Sequence, residues 1–115
     1  MTIRDVVNIL HADVICGQQL LDNEVKTACG SDMMSDVLAF VKEQSILLTG
    51  LVNVQVVRTA YMMDMHCIVF VRGKRPDEDM IRLATEKGIA LACTSKRMFC
   101  SCGLLWENGL LGGDI

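Results

Sequence analysis

Three segments of the chain, residues 45–49, 67–71 and 89–93, are short and almost uninterruptedly apolar. Segments of this length without polar alternation are typical of strands that are buried on both faces of a sheet. Each is followed by turn or cap residues, and then by a segment whose apolar residues recur with helical spacing. This βα rhythm predicts successive strands that pair in parallel through right-handed helical crossovers.

Two further strands are predicted at residues 12–16 and 25–29. The first helix is predicted at residues 2–10, where Thr2 and Asp5 have the spacing of a capping box. Ser31 or Asp32 is the expected cap of the second helix. Four apolar residues of this helix have helical spacing and are expected to face the core: Met34, Val37, Leu38 and Val41. The result is a three-layer α/β domain, with a mainly parallel sheet flanked by helices.

Asn53 is the expected cap of a third helix at residues 54–65. Pro76 is expected at the first position of a fourth helix, which ends at Lys87 and Gly88. The last helix is expected to begin after Thr94 or Ser95 and to close at Asn108 and Gly109. Its apolar residues are predicted to face inward: Met98, Phe99, Cys102, Leu105 and Trp106.

The chain has 115 residues, of which 51% are hydrophobic and 4% aromatic. This length predicts a single domain over residues 1–115, with a loose tail at 110–115. The apolar content excludes intrinsic disorder, and no apolar run reaches the roughly 18 residues of a membrane span. Because the N-terminal residues do not resemble a signal peptide, we expect a cytoplasmic protein that does not act at a membrane.

The formal net charge of −3 argues against nucleic-acid binding, which usually needs a basic face. The six cysteines lie within apolar segments, and we expect them to be reduced. Catalytic groups are sparse: no combination of residues supplies both a base and a nucleophile. The sequence therefore predicts a protein that is not an enzyme and has no cofactor.

Ligands of open parallel sheets bind beyond the carboxyl ends of the strands, where helix N-termini point. At the predicted ends lie hydroxyl, amide and cationic side chains together with small residues. These are the candidate ligand-binding residues, suited to a nucleotide or another anionic small molecule: Ser31, Asp32, Thr49, Gly50, Asn53, Arg72, Gly73, Lys74 and Thr94. The alternative is that the hydroxyl and amide residues are only helix caps, and the glycines only turns.

Other functions stay open as alternatives. Asp32 and Asp36 share a helix face and suit a divalent cation, although such pairs are also common as solvated first turns. Cys29 and Cys93, at two strand ends, suit a thiol-based metal or redox site, and Cys102 is a third candidate. The helix at 54–65 is apolar nearly all round, which favours a homodimer and a protein-interaction domain without a small ligand.

Three stretches resemble the DRTGG-domain family: ACGSDMMSDVLAF at 28–40, LLTGLVN at 47–53 and IVFVRGKRP at 68–76. The chain looks like a small stand-alone prokaryotic member. The family is similar to the N-terminal domain of HPr kinase/phosphorylase, and it recurs as a module in phosphotransacetylases and CBS-type pyrophosphatases. The resemblance implies an α/β fold, frequent dimerisation and a regulatory or ligand-sensing role without catalysis.

The chain departs from the motif that names the family. The Asp-Arg pair falls near Val52 and Asn53, and the Thr-Gly-Gly near Val71, Arg72 and Gly73. Only the last glycine matches. An anion-binding role carried by the missing arginine would therefore have to pass to Arg72.

Overall fold

In the computed structural model, residues 1–40 and 46–113 are described, without the side chain of Phe40. Within these residues the strands form one sheet with the order β1-β5-β4-β3-β2. Strands β2 to β5 are mutually parallel, and β1 is antiparallel to β5. The strands are β1 (Asp13–Cys16), β2 (Ala28–Gly30), β3 (Ile46–Thr49), β4 (Cys67–Phe70) and β5 (Ala90–Cys93).

Helices cover both faces of the sheet and produce three layers. The helices are α1 (Ile3–Leu10), α2 (Met34–Phe40), α3 (Val54–Met62), α4 (Glu78–Lys87) and α5 (Met98–Glu107). Because α2, α3 and α4 each lead from one parallel strand to the next, right-handed crossovers place them on the same face. The terminal helices α1 and α5 cover the other face. The predicted fold class is confirmed.

Successive side chains of the central strands point to opposite faces, and both faces are buried. Leu47, Ile68 and Leu91 pack against the α2–α4 layer. Leu48 and Val69 pack against the α1–α5 layer. All five are at most 1% exposed, which explains why these strands show no polar alternation in the sequence.

The register brings the carboxyl ends of the central strands to one edge of the sheet. Thr49 of β3 lies opposite Phe70 of β4, and Phe70 lies opposite Cys93 of β5. The loops that follow these residues are therefore neighbours. We call this side of the molecule the carboxyl edge.

Strand β1 is the one antiparallel strand of this mainly parallel sheet, in the part of the chain that the structure describes. Helix α1 ends at the carboxyl edge, where the Thr94 hydroxyl donates to the Leu10 carbonyl at 2.8 Å. The chain reverses at His11, which has a φ of 50°. Because β1 starts at the edge where β5 ends, it must run in the opposite direction.

Three side chains that were expected to face inward are exposed instead: Leu38, Phe99 and Trp106 are 43%, 88% and 62% accessible. Helix α5 is apolar on more than one side, so helical spacing alone does not identify the buried one. Contact with α1 and the sheet selects the side that carries Ser101 and Leu105, both buried. The opposite side of the helix is left in solvent.

Several element ends also differ from prediction. Helix α3 stops at Met62 rather than residue 65, and Asp64 then adopts a positive φ of 58°. Pro76 lies before the first helical position, because Asp77 is the cap and accepts from the Met80 N–H at 2.9 Å. Helix α5 begins after Arg97, and no side chain caps it. The capping box at Thr2 and Asp5 is present as predicted.

The segments beside β2 account for the remaining differences. Strand β2 is shorter than predicted, and Val25 before it is buried in the core. The tail that was expected to be loose from residue 110 is attached to β2: Leu110 is buried, and the Leu111 carbonyl accepts from the Ala28 N–H at 2.9 Å. Val41, Ser45 and residues 114–115 lie outside the described residues. None of the described helices has the length and apolar character of a membrane span.

Candidate functional site

Asp32 is the centre of a hydrogen-bond network at the carboxyl edge. The residue lies in the bend between β2 and α2. One oxygen, Oδ1, accepts from the Gly50 N–H at 2.6 Å and from the Thr49 hydroxyl at 3.2 Å. The other, Oδ2, accepts from Nη1 of Arg72 at 3.3 Å. The network thus joins the loops that follow β2, β3 and β4.

Arg72 is positioned by its backbone as well as by this ion pair. It has a φ of 61°, in the left-handed region that residues with a Cβ seldom adopt. Its N–H donates to the carbonyl of Lys96 at 2.8 Å, which holds the loop after β4 against the loop after β5. The guanidinium lies over Gly50, where an added Cβ would be 2.5 Å from the Cζ of Arg72. Only glycine leaves room for this arrangement.

The electrostatics of the network favour an ionised Asp32. Hydrogen bonding from the Gly50 N–H lowers the pKa of its carboxyl below the usual value, against a smaller opposing effect of burial. Hydrogen bonds and charge from Arg72, and the Thr49 hydroxyl, lower the pKa further. A cation and two neutral donors therefore converge on one anionic group.

The carboxyl edge also concentrates positive charge. Five of the chain's eleven lysines and arginines lie in two loops: Arg72, Lys74, Arg75, Lys96 and Arg97. The loops are joined by the Arg72 contact and by a 2.9 Å hydrogen bond from the Gly73 N–H to the Thr94 carbonyl. We call residues 72–75 and 94–97 the basic loops.

Most cations of the basic loops have no anionic partner of their own. In the described part of the chain, Lys74, Lys96 and Arg97 form no ion pair. Arg75 lies 3.9 Å from Asp13, and both side chains are largely exposed. Two of the three acidic residues that follow at the start of α4 are engaged locally: Asp77 caps the helix, and Asp79 contacts Arg82 at 3.1 Å.

The structure brings some of the predicted ligand residues together and separates others. Asp32, Thr49, Gly50 and Arg72 form one network, and Gly73 adjoins it. Lys74 is exposed in the same loop as Arg72.

Three predicted site residues have structural roles outside this network. Ser31 accepts from the Met33 N–H at 3.0 Å within its own turn. Asn53 accepts from the Gln55 N–H at 2.9 Å and caps α3. Thr94 is buried, and its hydroxyl donates to α1 while accepting from the Lys96 N–H at 3.2 Å.

Three cations of the basic loops are not among the ligand-binding residues predicted from the sequence: Arg75, Lys96 and Arg97. Arg75 and Lys96 lie close to predicted strand ends, so a count of charge at each end would have found them. Arg97 was assigned to the last helix, whereas it precedes α5. The closeness of the two basic loops depends on the strand register.

The structure separates Cys93 from the other two candidate thiols, whereas Cys29 and Cys102 lie near each other between β2 and α5. Cys29 on β2 and Cys93 on β5 are separated by β3 and β4, so they lie roughly 14 Å apart. Burial raises the pKa of the Cys29, Cys93 and Cys102 thiols, and raises that of Cys67 to about 12. A thiol with a raised pKa is a poor nucleophile and metal ligand, because the thiolate is the reactive form.

The metal alternatives have no better support. Asp32 faces the Arg72 guanidinium, an unfavourable neighbour for a divalent cation. Among the described residues, no three His, Cys, Asp or Glu side chains lie close enough together to hold a metal ion.

Comparisons with known proteins agree with this architecture. Residues 5–102 match the model of the DRTGG domain. The fold is similar to a crystal structure of the CBS and DRTGG domains from the regulatory region of Clostridium perfringens pyrophosphatase, in complex with the activator diadenosine tetraphosphate. The TM-score is 0.73 at 16% sequence identity, over 90% of this chain.

The present chain covers 45% of that crystallised chain, so it spans less than half of its length. At this identity the similarity concerns the fold. No curated protein matches the chain significantly. Because the DRTGG model covers nearly all of the chain, the protein belongs to the DRTGG domain family.

Proposed function

We propose that the protein is a non-catalytic regulatory module that binds a phosphorylated small molecule or nucleotide at the carboxyl edge. The observation that carries this proposal is the positive charge of the basic loops. A chain with a net charge of −3 places five of its eleven cationic side chains there. Arg and Lys are the side chains that most often bind phosphate groups.

The geometry supports an anionic ligand in a second way. Arg72 is held at both its backbone and its guanidinium, so little conformational entropy is lost when it binds a phosphate. Lys74, Lys96 and Arg97 add charge without an internal partner in the described residues. Regulation by a nucleotide also has a precedent in the similar crystal structure, whose regulatory region was solved with a nucleotide activator.

A thermal-shift screen of nucleotides and phosphorylated metabolites tests this function. A ligand that binds only the folded state raises the Tm by mass action. We expect Arg72→Ala to abolish the shift and Arg97→Ala to reduce it. Arg58→Ala is the matched control, because Arg58 is an exposed arginine on α3, outside the basic loops. If no anion raises the Tm, or if Arg58→Ala is as harmful as Arg97→Ala, the proposal is wrong.

A second candidate function is a homodimeric protein-interaction domain, favoured by the exposed side of α5. The chain has five aromatic residues, and two of them, Phe99 and Trp106, are exposed there two helical turns apart. Gly103 lies between them, and a Cβ at Gly103 would meet no atom within 4 Å. Exposed aromatic side chains with few charges are typical of interface cores.

Helix α3, which the sequence favoured as the interface, is less suitable. Four of its nine residues are buried within the monomer. Its exposed Tyr61 ring is covered by Lys87, whose Nζ lies 4.7 Å from the ring centroid. Met62 is the other large apolar side chain that α3 exposes, at 64%, whereas α5 exposes two aromatic rings.

Light scattering coupled to gel filtration tests the dimer. We expect a dimer that Phe99→Ser or Trp106→Ser dissociates, while the control Tyr61→Ser leaves it intact. A strict monomer at high micromolar concentration would remove this candidate.

We also propose that residues 1–115 act as one domain in a reducing compartment such as the cytoplasm. This location is supported by the cysteines, all six of which are free. Reaction of the purified protein with a thiol reagent tests it: six reactive thiols in denaturant agree with the proposal, and fewer contradict it.

A further inference from the structure

The Asp32 carboxylate occupies a position that is surrounded by donors typical of phosphate sites. A backbone N–H, a hydroxyl and a guanidinium converge on it from Gly50, Thr49 and Arg72, at 2.6, 3.2 and 3.3 Å. Phosphate groups in proteins are bound by this combination of backbone amide, hydroxyl and Arg donors.

Two of the donor residues have contacts other than those to Asp32. The Thr49 hydroxyl accepts from the Leu51 N–H at 3.1 Å, so the proton of the Thr49 hydroxyl is left to point toward the position that Asp32 occupies. Thr49 is fully buried at the end of β3. The backbone N–H of Arg72 donates to Lys96, and the Arg72 guanidinium lies over Gly50. The Thr49 hydroxyl and the backbone of Arg72 are therefore in place without Asp32.

Asp32 and Arg72 are the exposed members of the network, with side chains 44% and 41% accessible, whereas Thr49 and Gly50 are buried. Asp32 lies in a connection of three residues between β2 and α2. Rotation of this side chain into solvent would leave the three donors directed at an empty position. The exchange of one anion for another at that position then needs no change in the sheet.

We propose that this oxyanion position is a subsite for the terminal phosphate of a phosphate monoester, which displaces the Asp32 carboxylate when it binds. The inference rests on the proposed function and names its ligand class. A tethered carboxylate has a high effective concentration, so a competitor must interact more strongly with the same donors. A monoester phosphate is a dianion with three terminal oxygens, enough for all three donors, whereas a phosphodiester has one negative charge and two such oxygens.

The test is a titration of the ¹⁵N-labelled full chain with methyl phosphate, followed through the Gly50 amide resonance. Dimethyl phosphate is the diester control. The variants are Asp32→Ala, which removes the competitor, and Asp32→Asn, which keeps an acceptor for Gly50 if the alanine variant is unstable. Asp36→Asn is the matched control, because Asp36 is an exposed carboxylate one helical turn away.

Methyl phosphate should shift the Gly50 resonance in every variant, and Asp32→Ala should bind it at least about tenfold more tightly than the unmodified chain. Asp32→Asn should also bind more tightly, and Asp36→Asn should not. Dimethyl phosphate should leave the resonance unchanged.

Equal affinity in the unmodified chain and both Asp32 variants would overturn the inference, as would an equal response to the diester. If nucleotides raise the Tm of the unmodified chain while methyl phosphate never shifts Gly50, the subsite is wrong and the proposed function stands. If no anion raises the Tm of the unmodified chain, the proposed function itself fails.

Discussion

The two faces of the sheet are covered in different ways. On one face, α2, α3 and α4 are crossover helices, and each packs beside the next because consecutive parallel strands are neighbours. On the other face there are two helices from the ends of the chain, α1 and α5. The remaining area there is covered by pieces of loop and tail, including Leu20, Val25 and Leu110.

This difference shows how the origin of a layer affects its packing. Crossover helices are placed by the strands they connect, whereas terminal helices and the tail are placed by side-chain packing and a few hydrogen bonds, such as that between Ala28 and Leu111. A small apolar cavity of about 70 Å³ lies in the second layer, between β2, α5 and the tail, and is lined by residues including Gly30, Cys102 and Leu110. The exposed Trp106 also lines this cavity.

Truncation of a core side chain on each face should give the largest losses in the free energy of unfolding. Phe70→Ala, against the crossover helices, should lower the free energy of unfolding by about 3–5 kcal/mol, because Phe70 is fully buried. Leu105→Ala, against α1, should cost about 2–3 kcal/mol, because the chain ends around it can close into the space. Urea denaturation measures both values, and an equal or larger loss at Leu105 would contradict this view of the second layer.

A substitution at Gly17 tests how tightly the loop on the second face is held. Gly17 has a φ of 86°, and an added Cβ would lie 2.6 Å from the Cα of Ala90 on β5. Gly17→Ala should therefore cost at least about 3 kcal/mol. Gly73→Ala is the matched control: its φ is 71° but nothing lies within 4 Å, so only about 1–2 kcal/mol of backbone strain is expected. If Gly17→Ala and Gly73→Ala lower the free energy of unfolding by similar amounts in urea denaturation, the loop at Gly17 moves aside easily.

The smallest expected effect concerns the carboxyl edge, where Asp32 attaches the start of α2 to the sheet. The pKa of Asp32 in the folded state is below its ordinary value, mainly because of the Gly50 N–H. The ionised Asp32 carboxylate therefore contributes its full stabilisation above the ordinary pKa of a carboxyl group. This stabilisation is lost as the pH falls through the lower pKa that Asp32 has in the folded protein. Since Asp32 and Arg72 are both more than one-third exposed, this contribution should be less than about 1 kcal/mol.

Urea denaturation across this pH range measures the effect. Asp32→Asn should be less stable than the unmodified chain near neutral pH, and the gap should close in acid. A gap that does not change with pH would show that the charge of Asp32 contributes nothing to the attachment of α2.

Much of the fold was predictable because the relevant signals are local. The five apolar segments correspond to five strands, and the Thr2 capping box, the Asn53 cap and the Gly88 terminus all occur as predicted. Each of these depends on residues within four positions of one another. The position of the candidate site at the carboxyl edge follows from the same strand predictions.

The roles of individual side chains were less predictable. Thr94 and Asp32 were both predicted as ligand residues and as possible caps, yet Thr94 bonds to α1 and Asp32 to β3 and β4. These partners are 84 residues away for Thr94 and up to 40 for Asp32. A short polar side chain has several possible partners, and the tertiary contacts determine which one it meets.

The strands, the helices and the mainly parallel sheet can be inferred from the sequence, because burial on both faces leaves a nearly continuous apolar run in the central strands. Three features cannot: β1 is antiparallel, α5 buries Ser101 and Leu105 rather than Phe99 and Trp106, and Asp32 meets Arg72. All three have the same cause. Direction, helix rotation and ion pairing depend on distant parts of the chain that come together only when the sheet has formed.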